Sequence, residues 1–157
     1  MERSRNRSAL LSFLIATLLA APVSAQQGAT NGEWRAYGGD GGGIRYSSLD
    51  QINADNITSL DVAWVWKADS LLPNAIATSE TTPIMVDGVL YFSMDQRRVV
   101  IAADAGTGET LWLYRLEEGE RFQAAPRKVH RGVSYWSDGQ GDDRILFATP
   151  GFNLVAL

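Results

Sequence analysis

Asp138-Gly139-Gln140-Gly141-Asp142-Asp143 is the densest group of chemistry-bearing residues in the chain. Carboxylates at close spacing in a glycine-containing loop are what a calcium ion selects. The spacing fits no ordered ligand set, and a solvated turn is the simpler reading. A second candidate is the glycine run in Gly38-Gly39-Asp40-Gly41-Gly42-Gly43. A phosphate-cradling loop needs a following Lys-Ser/Thr and a strand-to-helix frame. Neither is present, so the run reads as a loop that requires positive φ and close chain approach. His130 is the single histidine, and without a partner it reads as structural. Asn56-Ile57-Thr58 matches a glycosylation acceptor, to which no weight is given. There is no cysteine, hence no thiolate nucleophile, no zinc-thiolate site and no disulfide. The net charge of −4, with no basic stripe, excludes nucleic acid as a partner.

The elements that would position such groups begin after a leader. Arg3, Arg5 and Arg7 precede an apolar run from Ala9 to Ala21, followed by Val23-Ser24-Ala25. A basic start, a short apolar core and an A-x-A-like site predict a secretory signal over residues 1–25, cleaved after Ala25. The run is shorter than the roughly 20 residues a membrane span needs. The mature chain, residues 26–157, is therefore expected in an oxidising compartment with no membrane span. Without a cysteine after the signal, lipid attachment is excluded.

Asn53 to Leu60 is expected to form a short helical turn capped by Asn53. Ala63-Trp64-Val65-Trp66 reads as a strand, because aromatic and β-branched residues suit one. Pro83 to Val86 and Val89 to Ser93 flank Asp87-Gly88, the hairpin signal. Val99 to Ala103 and Thr110 to Tyr114 complete four short strands, separated by the turn Asp104-Ala105-Gly106-Thr107-Gly108-Glu109. Leu90-Tyr91-Phe92-Ser93 is echoed by Ile145-Leu146-Phe147-Ala148, and Val100-Ile101-Ala102-Ala103 by Leu154-Val155-Ala156-Leu157. Repetition of a four-stranded unit predicts an all-β fold, the β-propeller. One unit and part of another cannot close a ring, so the chain is expected to be a fragment. Trp112 is expected to lie across the Asp104–Gly108 turn and dock on a neighbouring sheet.

Ala102-x-Asp104-x-x-Thr107-Gly108-x-x-x-Trp112 resembles the tryptophan-docking motif of quinoprotein dehydrogenases, enzymes that use pyrroloquinoline quinone (PQQ). Trp34 through Tyr46, with Leu49-x-Gln51-Ile52-Asn53 and Ala63-Trp64, resembles their N-terminal segment. Glu80 through Tyr91 resembles their first strand pair, and Arg131-Gly132-Val133-Ser134-Tyr135-Trp136 their Arg-Gly-x-x-Tyr-Trp stretch.

The resemblance implies an eight-bladed propeller, of which this chain holds the first one to two blades. It implies two PQQ-binding residues, Glu80 as a hydrogen-bonding group and Arg131 as a contact to a carboxylate or quinone oxygen. The alternatives are a strand-end cap for Glu80 and a surface or inter-blade salt bridge for Arg131. It implies periplasmic oxidation of an alcohol or aldose, with electrons passing to cytochrome c or ubiquinone. It also implies calcium, with ligands, catalytic base and the tryptophan beneath PQQ expected beyond Leu157, so no catalytic or metal residue is assigned here and the piece alone is expected to be inactive. The adjacent-cysteine disulfide ring of many alcohol-oxidising members is replaced near Ala125 and Pro126, which leaves the substrate class open. The competing reading is a non-enzymatic propeller scaffold, which has no need of Glu80 and Arg131 together.

Overall fold

The computed structural model describes residues 29–68, 80–94, 98–125 and 131–157. The expected signal peptide, Pro126 and His130 lie outside the described residues. Among the described residues no helix is long and apolar enough to cross a membrane.

Among the described residues seven strands form two antiparallel sheets. The first contains β1 (Ile84–Val86), β2 (Val89–Met94), β3 (Val99–Asp104) and β4 (Thr110–Arg115), in that spatial order. The second contains β5 (Ser134–Ser137), β6 (Asp143–Ala148) and β7 (Leu154–Ala156), again in chain order. Up-and-down order follows from tight turns between successive strands, which join only antiparallel neighbours. Asp87 and Gly88 both take positive φ, 49° and 77°, the twist a two-residue hairpin needs. The register pairs Tyr91 with Ala102 on one side and Ile84 on the other. The predicted echo holds in three dimensions, since β6 and β7 occupy in the second sheet the places of β2 and β3 in the first.

Alternation along the strands sends one set of side chains toward the second sheet and the other away from it. Ile84, Val86 and Val100 join Val133, Ile145 and Phe147 in one buried cluster, with Tyr91, Tyr114, Tyr135, Val155 and Leu157 packed against it. This is the seam between the sheets. On the opposite face of β3, Val99 and Ile101 are fully buried beneath Trp66, Phe92 and Met94. A short helix α1 (Glu120–Ala124), which no cap residue announces, places Phe122 in the interior. Just before it, Glu118 ties the two sheets together. Its carboxylate accepts from the Thr149 hydroxyl, from Gly151 N–H at 3.1 Å and from the Asn153 amide at 2.7 Å.

The described residues before β1 form no strand of their own. Trp34 exchanges both backbone hydrogen bonds with Met85, at 2.9 Å each. Glu33 accepts from Asp87 N–H, and Arg35 reaches Asp87 at 3.2 Å while lying over the Tyr135 ring. The glycine loop behaves as its composition predicts. A Cβ on Gly38 would lie 2.4 Å from Gly43 Cα, and Gly39 and Gly43 both have positive φ.

The short helical turn expected over Asn53–Leu60 is present, its regular part the 3-10 turn Ile57–Ser59, and at its start Asn53 Oδ1 accepts from Asp55 N–H at 2.9 Å. Two expectations need correction. Ala63–Trp66 pairs with no strand among the described residues; its side chains, and not a ladder, hold it. The second correction concerns the docked tryptophan. Trp112 sits beside Ala102 in the ladder and tilts on Tyr91 at 5.9 Å, partly exposed. Trp64 is the residue that lies across the Asp104–Gly108 turn. Its indole N–H donates to Ala105 O at 3.1 Å, and a Cβ on Gly108 would meet its ring at 2.6 Å. Trp66 donates in the same direction, to Thr110 Oγ1 at 2.9 Å.

Candidate functional site

Glu80 and Arg131 stand at corresponding places in the two sheets, just before the first strand of each. Strand β1 begins at Ile84 and β5 at Ser134, so the stacking of the sheets brings the two leading segments side by side. Thr82 N–H donates to Arg131 O at 2.7 Å and fixes their spacing. Thr81 anchors the first segment from behind, its hydroxyl bonding Ser93 O at 2.8 Å and lying 3.0 Å from the Ser93 hydroxyl. Rigid backbone on both sides is how a site is held before a ligand arrives.

The result is an ion pair across the seam, Arg131 Nη1 to Glu80 Oε2 at 3.5 Å. The inter-sheet salt bridge that the sequence left open for Arg131 is therefore present. It does not use up either group. Their side chains are 67% and 50% exposed, and a pair of that kind contributes at most about 1 kcal/mol. A guanidinium presents five donors in a planar fork, and one distant carboxylate leaves most of them aimed at solvent. Glu80, for its part, caps no strand end with its side chain among the described hydrogen bonds.

Arg131 also opens onto a cleft of about 380 Å³, whose other walls include Tyr37, Val133, Leu146, Phe147 and Leu154. One cation on the wall of a largely apolar cleft, with a carboxylate 3.5 Å from it, can orient a planar, anionic, partly apolar molecule. The donor set suits a polycarboxylate with quinone oxygens: the fork matches a carboxylate, and the cation favours negative charge on an oxygen beside it.

The remaining candidates serve the fold. In the 138–143 loop, Asp138 accepts from Gln140 and Asp142 N–H at 2.7 and 3.0 Å. Asp142 binds Arg144, which holds its carboxyl below the usual range. Asp143 is likewise lowered, by hydrogen bonds from Ser137 and then Tyr135, whose hydroxyl donates at 2.8 Å. No cluster of three or more potential metal ligands occurs among the described residues. Ala125, one of the two positions that correspond to the family's cysteine pair, follows α1 directly and ends that described stretch. Two contributors escaped sequence reasoning: Thr81, an unremarkable hydroxyl beside a strand, and Gly132, whose importance lies in what it touches.

Repeated up-and-down antiparallel sheets, stacked face to face through an apolar seam, are the units of a β-propeller protein. Residues 34–157 match the family described as PQQ: glucose/ethanol/alcohol dehydrogenase, beta-propeller domain. The chain belongs to that family. It is 36% identical over 160 residues to quinohemoprotein alcohol dehydrogenase ADH IIB of Pseudomonas putida, covering 96% of this chain and 22% of that protein. It is 40% identical over 121 residues to quinoprotein glucose dehydrogenase of Escherichia coli, covering 74% of this chain and 15% of that one. The crystal structure of quinohemoprotein alcohol dehydrogenase from Comamonas testosteroni superposes with a TM-score of 0.62 at 32% identity, over 80% of this chain and 17% of the other. The chain thus spans a small part of the relatives it matches.

Proposed function

We propose that this chain supplies the first PQQ-binding residues of a periplasmic dehydrogenase that oxidises an alcohol or an aldose. Its electrons would leave to cytochrome c or to membrane ubiquinone, and residues 1–25 would direct export. The observation that carries the reading is the exposed Glu80–Arg131 pair, set across the seam by backbone bonds in a chain of this family.

Arg131 would hold a carboxylate or quinone oxygen of PQQ, and Glu80 would accept a hydrogen bond from the cofactor or from a group beside it. When bound, PQQ supplies the acceptor for hydride from the substrate carbon. Arg131 then acts by placing a fixed positive charge where negative charge gathers, an effect that needs no movement during the reaction. Glu80, 3.5 Å away, keeps the guanidinium turned toward the seam. Calcium as a second cofactor belongs to the same proposal.

The test is PQQ binding by the complete gene product. Arg131→Ala should weaken it by at least about tenfold, the order expected for a charge-assisted bond. Loaded protein should reduce an artificial electron acceptor with an alcohol or a sugar. Failure to bind PQQ, together with no acceptor reduction on either substrate class, sinks the proposal and leaves the scaffold reading in its place.

A further inference from the structure

We propose that Gly132 is a positioning residue for the Glu80–Arg131 site, because its missing side chain is what allows the two charged groups to meet. The inference rests on the PQQ-binding reading of that pair and adds to it a requirement made by the backbone. Gly132 has φ of +139°, a conformation side chains rarely adopt. A Cβ there would lie 2.7 Å from Thr82 O and 3.6 Å from Thr81 Cγ2. Real Cβ atoms do not approach a carbonyl that closely, so something would have to move.

The obstacle cannot turn aside as a flexible side chain would. Thr82 O belongs to the same residue whose N–H donates to Arg131 O at 2.7 Å, and the adjoining Thr81 is held to Ser93. Thr82 thus meets the second segment with both of its backbone polar groups, one bonded to Arg131 and one pressed on Gly132. A methyl at 132 parts the two segments, breaks the Thr82–Arg131 bond and carries the guanidinium away from Glu80. Gly139 supplies the contrast. It too has positive φ, +71°, but nothing lies within 4 Å of its would-be Cβ. Backbone handedness is demanded at both glycines, and closeness only at Gly132.

The experiment measures the Kd of PQQ for the complete gene product and four variants: Arg131→Ala, Gly132→Ala, the double variant, and Gly139→Ala as control. Gly132→Ala should weaken binding about tenfold or more. The double variant should bind about as weakly as either single one, because residues acting as a unit are not additive. Gly139→Ala should stay within about twofold of the parent. Parent-like binding by Gly132→Ala, or losses that multiply in the double variant, overturn the inference while leaving the cofactor site standing. Parent-like binding by Arg131→Ala overturns the cofactor reading itself, and the inference with it. Should Gly132→Ala not fold, hydrogen exchange on the parent decides. The Thr82 amide should exchange slowly and slow further when PQQ is added, whereas exchange at an open-loop rate in both states overturns the inference.

Discussion

The two sheets repeat one unit, yet they are closed in different ways. In the first, β3 is buried on both faces, by the second sheet on one side and by Trp66 with Phe92 and Met94 on the other. Its turn after β3 is covered by Trp64, delivered from a segment 41 residues earlier. In the second sheet the face away from the seam has less cover among the described residues. Phe152 and Leu154 are 84% and 77% exposed, and Trp136 is 44% exposed beside Arg144. A blade of this kind is therefore completed from outside: its own residues make the ladder, and the preceding segment supplies the aromatic cover. That division explains why Trp64, which forms no strand, matters more to the first sheet than its local structure suggests.

The seam common to both sheets is where substitution should cost most. Phe147→Ala removes a buried ring that meets Tyr114 edge-on, and should cost about 3–5 kcal/mol in denaturant unfolding. A loss no larger than that of a surface change would mean the sheets do not pack as described. Next comes the covered turn. Gly108→Ala should cost about 2–4 kcal/mol, combining a left-handed backbone with displacement of Trp64, against about 1 kcal/mol for Gly139→Ala, where space is open. Equal costs for the two would erase the distinction between covered and uncovered turns.

A finer test uses acid. Asp104 Oδ1 accepts from the Thr107 hydroxyl, Thr107 N–H and Gly106 N–H, bonds that hold its carboxyl below the usual range. A depressed folded pKa means the contribution is present above the unfolded pKa and is lost as pH falls through the folded one. Asp104→Asn should therefore melt lower than the parent at neutral pH, and the gap should narrow as pH drops below the ordinary carboxylate range. A gap independent of pH would place the stabilisation elsewhere. The smallest effect belongs to the open face: Asp142→Asn breaks an exposed pair with Arg144 and should leave the melting midpoint at neutral pH unchanged.

The first sheet was legible because its signals are local. Asp87-Gly88 and Asp104 through Gly108 state their turns within a few residues, and alternation gives the strands. Glu80 and Arg131 came through family resemblance, not from their spacing. What stayed hidden is non-local. Trp64 was assigned to a strand because its composition suits a pleated surface, but β propensity does not say whether a ladder partner exists. Gly132 looks like any glycine until Thr82 is placed against it. Helix α1 begins after Gly119, which has no side chain to cap it, so no residue announces it.

The clamp of Glu33, Trp34 and Arg35 on the β1–β2 turn has a consequence in time. Arg35 finds Asp87 only 52 residues later in the chain, and Tyr135 later still. At a synthesis rate of about 5–20 residues per second, the early segment waits roughly 3–10 s for its first partner in the sheets. During that interval Trp34 lacks the Met85 backbone with which it later pairs. Capture of the segment by Met85 and Asp87 needs only the first hairpin, and the contact of Arg35 with Tyr135 is added when the second sheet begins to arrive.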